Sequence, residues 1–260
     1  MRGMAWLWAV AGALAACGGG SADVRTAATP QGISREAVES LWTEAVALHG
    51  RGQWAEAATM FERVTLEIPA ADPLALEARF RLAECQLGQG QQLQAAREFR
   101  KVSDETPNSR LAPEALLRAG DAYTELWRRP ELDPTYGQTA VATYQELLNR
   151  YPDSDAAPRA RMRIRALEDD FAFKQYKAAQ YYLRLKAYDS AILYLKDIAA
   201  TYPQAAITPT ALLRLIDAYR RLDYEEDIVE VCGYIRRFHP THPGVDHACP
   251  VAPDATTTGT

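Results

Sequence analysis

Five prolines, Pro69, Pro107, Pro152, Pro203 and Pro240, cut the chain at intervals of 38, 45, 51 and 37 residues, and each closes the same pattern. Twelve residues before them stand Ala57, Ala95, Ala140, Ala191 and Ile228. Eight before stand Phe61, Phe99, Tyr144, Leu195 and Cys232, and five before stand Val64, Val102, Leu147, Ile198 and Ile235. These offsets are i, i+4 and i+7, one face of an α-helix. A small residue lets a neighbouring helix approach, the bulky residue one turn later fills the space beside it, and the proline ends the helix. After the prolines a second set recurs: Pro113, Pro158 and Pro209, then Ala115, Ala160 and Ala211, then Leu117, Met162 and Leu213. Proline at a helix start lacks only an N–H that would be orphaned there anyway. A unit of this length is a helical hairpin that buries its apolar face only against its neighbours.

The Ala-x3-Phe-x7-Pro spacing of Ala57, Phe61 and Pro69, and of Ala95, Phe99 and Pro107, resembles the tetratricopeptide repeat. The expected fold is therefore all-α, a tetratricopeptide-like solenoid of about five helix pairs. The 51-residue interval is the longest, and both 157–169 and 171–186 read as helical, so an extra or lengthened helix is expected before the fourth pair. Trp127 to Pro134 reads as a widened turn.

Ahead of the repeats, Arg2 and the apolar run Met4–Leu14 have signal-peptide form, too short for a stable membrane span. Leu14-Ala15-Ala16-Cys17 resembles the bacterial lipobox, which implies that Cys17 is lipidated and becomes the first residue of the mature chain; the alternative is an ordinary secretory signal with an incidental cysteine. Several acyl chains anchor stably where one does not. The expected organisation is a lipoprotein signal peptide over 1–16, a lipidated flexible tether over 17–33, N-terminal repeats over 34–152, C-terminal repeats over 153–240 and a disordered tail over 241–260.

Charge and chemistry narrow the function. With Lys+Arg 29 against Asp+Glu 34 and a net charge of −5, the chain lacks the positive field that phosphate backbones require, so no nucleic-acid partner is expected. No P-loop, nucleophile elbow or dinucleotide fingerprint is present, so an enzyme is not expected. His239, His242, His247 and Cys249 fit no usual zinc spacing, and no metal or other cofactor is expected. Cys232 and Cys249 are a candidate disulfide in an oxidising compartment; the alternative is a free buried thiol at Cys232, which stands in a core column. Cys85 reads as a small core residue. Arg159, Arg161, Arg163 and Arg165 read as a solvated surface paired with Glu168 and Asp169, against the alternative of a binding stripe. Tyr176, Tyr181, Tyr182, Tyr188 and Tyr194 divide between core packing and a recognition groove.

The text from Arg150-Tyr151-Pro152-Asp153-Ser154 through Ala160–Leu167, Ala178–Arg184, Ala187-Tyr188, Tyr202-Pro203, Ala211-Leu212 and Asp217–Leu222 resembles the BamD family of outer-membrane lipoproteins. That resemblance, over about 34–240, implies five repeats and a scaffold anchored by lipid at the periplasmic face of the outer membrane. The implied partners are the periplasmic domains of the barrel-assembly outer-membrane protein, other assembly lipoproteins and unfolded outer-membrane proteins. It also implies an ion-pairing arginine in the helix after Ala187-Tyr188, where this chain carries Tyr194 and Lys196. Candidate partner contacts are Arg184, Tyr194, Lys196, Arg220 and Arg221. The rival reading is a tetratricopeptide lipoprotein that coordinates cell-envelope or peptidoglycan enzymes.

Overall fold

The computed structural model describes residues 33–70 and 72–249. Cys17, the signal segment, most of the tether and residues 250–260 lie outside them. Among the described residues every regular element is helical: α1 Arg35–Gly50, α2 Trp54–Glu67, α3 Pro73–Gly88, α4 Gln92–Glu105, α5 Ala112–Leu126, α6 Thr135–Arg150, α7 Ala156–Arg184, α8 Tyr188–Thr201, α9 Thr208–Arg220, α10 Glu225–Phe238 and α11 Val245–Ala248. Five helical hairpins stack, α1 with α2 through α9 with α10, and each helix packs on the next in the chain.

The repeat columns are the core. Ala57, Ala95, Ala140 and Ala191 are fully buried, as are Phe61, Phe99, Tyr144 and Leu195 one turn later. Contact of this closeness leaves no room for a side chain opposite the aromatic ring, and Gly120 of α5 lies directly against the Tyr144 ring of α6. Four hairpin turns reverse through one residue in the left-handed region: Gly52, Gly90, Lys186 and Asp223, with φ of 73, 76, 58 and 58°. The third hairpin uses the widened turn instead. Trp127 is buried there and stacks on Phe171 with ring centroids 4.5 Å apart, and Lys174 Nζ donates to the carbonyls of Glu131 and Leu132. The long interval is taken up by α7, one continuous helix of 29 residues.

The proline-bearing turns also repeat. The amide three residues after the C-cap donates to the C-cap carbonyl: Ser109 to Thr106, Ser154 to Tyr151, Ala205 to Tyr202 and His242 to His239, at 3.0–3.2 Å. A second step follows in each, Ala112 to Ser109, Ala157 to Ser154, Thr208 to Ala205 and Val245 to His242. The last of these turns lies within the segment expected to be a disordered tail. Residues 241–249 instead form the turn and the first helical turn of a sixth hairpin, α11. Its Val245 and Ala248 are buried in the positions that Ala112 and Ala115, or Ala157 and Ala160, hold in earlier repeats. Order continues past Pro240 because the exposed end of a repeat stack has to be covered.

The covering is covalent. Cys232 and Cys249 are joined by a disulfide that closes a segment of sequence separation 17. Cys232 occupies the column filled elsewhere by Phe61, Phe99 and Tyr144, so the sulfur bridge stands where a ring would otherwise meet the next repeat. Arg220 donates to the Ala248 carbonyl and Arg236 to that of Cys249, which satisfies the end of α11. At the other end of the stack α1 is capped by the Ser34 side chain and presents Arg35, Glu36, Glu39 and Thr43 outward.

Candidate functional site

Odd-numbered helices α5, α7 and α9 touch one another in succession, whereas even-numbered neighbours meet less closely. In a curved stack the layer whose members approach each other lies on the inside, so the odd helices line the concave face. A chain of charges runs across it. His49 Nε2 is 3.3 Å from Glu84, Arg81 donates to Glu84 at 2.9 Å, and Arg118 lies 3.9 Å from Glu84 and 3.8 Å from Asp121. Asp121 also accepts from Arg163 at 3.0 Å and from the Tyr144 hydroxyl at 2.7 Å. Burial, and then the Asp121 charge, push the Tyr144 phenol well above its ordinary range. Each exposed pair alone contributes little. Linked across α3, α5 and α7, they fix neighbouring hairpins in register. A cleft of about 330 Å³ opens between α5 and α7 beside Asp121, Arg163, Leu167 and Asp170. Burial and the adjacent Asp169 raise the Asp170 carboxyl.

The arginine run on α7 joins this network by a route that differs from the sequence expectation. Arg159 pairs with Glu114 and Arg163 with Asp121, both on α5, rather than with Glu168 or Asp169 on their own helix. Asp169 is otherwise engaged, accepting from the Ala206 amide at 2.7 Å in the next turn. Spacing along one helix could not reveal these partners, because they come from the preceding repeat.

The five candidate contacts do not form one patch. Arg184 is exposed in the last turn of α7, its guanidinium 5.9 Å from the Tyr181 ring. Arg220 and Arg221 border an adjoining cleft with Leu183 and Arg214. Arg220 is in addition the clamp on Ala248. Lys196 is exposed on α8, in the outer layer. Tyr194 is half-buried and stacked on Tyr182, centroids 5.4 Å apart and planes at 17°, so it holds α8 to α7. Of the other tyrosines, Tyr176 is buried in the core and Tyr181 is half exposed. Cys249 is consumed in the disulfide, and among the described residues no group of metal-ligating side chains is assembled. Cys85 is free and buried, its thiol pushed up to about 12 by burial and then by Glu84.

Stacked helical hairpins with a charge-lined concave face define the chain as a tetratricopeptide-type solenoid. Its residues 35–232 match the family model YfiO, outer membrane lipoprotein, and the chain belongs to that family. Curated relatives are named outer membrane protein assembly factor BamD. One from Vibrio cholerae serotype O1 is 32% identical over 43% of this chain and 46% of its own length. One from Xylella fastidiosa strain 9a5c is 26% identical over 84% of this chain and 78% of its own. The match to the first of these thus spans about half of the relative's length. Among solved structures, the TPR2AB-domain:pHSP90-complex of yeast Sti1 is similar over 83% of this chain and 82% of that one, at 14% identity and TM-score 0.43. No described helix is long and apolar enough to cross a membrane.

Proposed function

We propose that this chain is an outer-membrane protein assembly factor, a lipid-anchored scaffold at the periplasmic face of the outer membrane that acts by binding and not by catalysis. The observation that carries the reading is the family match over residues 35–232. The anchor is Cys17, whose place after a signal-length apolar run supports lipidation, and the stretch to Ser34 is the tether. The partners are the periplasmic domains of the barrel-forming assembly protein, with other assembly lipoproteins and unfolded outer-membrane proteins as further ligands.

The geometry suits that role. A stack whose repeats are tied by core columns and cross-repeat ion pairs is a stiff ruler, so little ordering entropy is lost when a partner docks. The C-terminal repeats, α7 to α10, are the docking half for the barrel-assembly protein. Arg184 and Arg221 are exposed there, and arginine and tyrosine are enriched at interface cores. Tyr194 contributes by holding α7 and α8 together, so its removal weakens binding without altering salt dependence. The test is crosslinking of the chain in native envelopes followed by identification of the adducts. Recovery of the barrel-assembly protein is the expected result; recovery of peptidoglycan enzymes in its place would overturn the proposal.

A further inference from the structure

On the convex side, α8 and α10 stand apart over α9, and a cleft of about 250 Å³ opens between them. Its floor is Leu212 and Leu215 of α9 with Val231 of α10, and its α8 wall is lined by the small Ala199 and Ala200. Small residues on one wall keep the cleft open; larger ones would close it. The rim is charged: Asp227 and Glu230 on the α10 lip face Lys196 on the α8 lip. None of the three belongs to an ion pair among the described residues, in common with the other charged residues of α8 and α10.

Helix stability accounts for only part of the acidic lip. Carboxylates in a first turn favour the helix N-terminus, which covers Glu225, Glu226 and Asp227. Glu230 lies in the second turn, beyond that effect. Asp227 leans toward the Tyr219 hydroxyl at the edge of the cleft, and burial followed by this carboxylate pushes that phenol up to about 12. Tyr234 closes the far end beside the exposed Phe238, ring centroids 4.7 Å apart. The cleft therefore joins an apolar socket sized for one large side chain to a rim with two carboxylates, Asp227 beside the Tyr219 hydroxyl and Glu230, against one ammonium. Its field repels phosphate-bearing surfaces and attracts cationic side chains.

We propose that this α8–α9–α10 cleft is a docking socket for a partner-protein segment in which one large hydrophobic side chain is flanked by lysine or arginine. The hydrophobic side chain supplies the anchor in a desolvated pocket, and the flanking cation satisfies Asp227 and Glu230. The inference deepens the scaffold reading and rests on it. It assigns a binding mode to the convex face, away from the charge-laced concave one, so the two faces can be occupied together.

The probes are three capped pentapeptides: phenylalanine between lysine and arginine, phenylalanine between glutamate and aspartate, and alanine between lysine and arginine. Each is titrated into the full mature chain with labelled leucine and valine methyl groups. The first peptide is expected to shift the methyls of Leu212, Leu215 and Val231. The other two are expected to bind about tenfold more weakly, the scale of one close interfacial charge pair or one anchor. In the Asp227→Asn, Glu230→Gln double variant the preference for basic flanks should vanish. Ala200→Trp, checked for unchanged helical circular dichroism, should abolish the shifts by filling the socket. Equal binding of the first two peptides, or no shift at those methyls with millimolar first peptide, overturns the socket. Envelope crosslinking separates the two levels: Ala200→Trp with parental recovery of the barrel-assembly protein overturns the socket alone, whereas a parental chain that recovers none overturns the scaffold reading.

Discussion

Replacing Cys232 and Cys249 together by alanine should loosen the C-terminal end of the stack while leaving its N-terminal half intact. The bond closes a segment of sequence separation 17, and the chain-entropy relation for a loop of that length gives about 3 kcal/mol. Because each repeat leans only on its neighbours, the loss falls on α9, α10 and α11 rather than on the whole chain. About 3 kcal/mol corresponds to roughly a hundredfold increase in local opening. What opens is specific: Val245 and Ala248 leave the core, Ile235 and Leu212 lose their cover, and the clamps from Arg220 and Arg236 release. Hydrogen exchange read by mass spectrometry should report the opening as faster exchange in 225–249, with α1 to α6 unchanged. The parental chain treated with a phosphine reductant should behave in the same way. Unchanged protection of α10 in both cases would show that the cap is held by packing alone, and the reasoning would fail.

Three further outcomes follow from the geometry and a fourth from the sequence. Ala191→Phe forces a ring into a fully buried column and should destabilise by about 1–3 kcal/mol, read as a lower urea midpoint; no change would mean that the column is not at a helix contact. Arg220→Ala should cost about 1 kcal/mol of cap stability, by loss of its bond to the Ala248 carbonyl, and should speed exchange in 245–249 more than it slows association with a partner. His239 has its pKa lowered from 6.5 by burial and then by His242, so the folded state disfavours its charged form. Its contribution is complete above the unfolded value and is lost as pH falls through the folded one; the urea midpoint of the parental chain should drop on acidification below about 6.5 more than that of His239→Gln, and parallel curves would refute it. Cys17→Ser should abolish acyl labelling of the chain in growing cells, and equal labelling of variant and parent would sink the lipobox.

The repeat was legible in the sequence because its physics is local. A small residue, a ring one turn later and a proline past the helix end describe one helix meeting its neighbour, and Ala57, Phe61 and Pro69 carry that in thirteen consecutive positions. The same columns extend one step past Pro240: Ala248 lies eight residues after it, as Ala115, Ala160 and Ala211 lie after Pro107, Pro152 and Pro203. That signal identifies α11 as the start of a sixth hairpin, and its histidines and prolines disguised it as a tail.

The tertiary structure alone decided which charges meet and where the open surfaces lie. Arg159 and Arg163 find Glu114 and Asp121 across a repeat boundary, 45 and 42 residues away, because helix stacking brings α5 beside α7. Arg220, a surface arginine by spacing, is spent on a carbonyl 28 residues downstream. The α8–α10 cleft exists because two outer helices diverge over α9, and the residues that line it come from three separate segments. A helix records in its own sequence which face it buries, since that face recurs every turn. It does not record the distance to the next helix but one, which depends on the curvature summed over the whole stack.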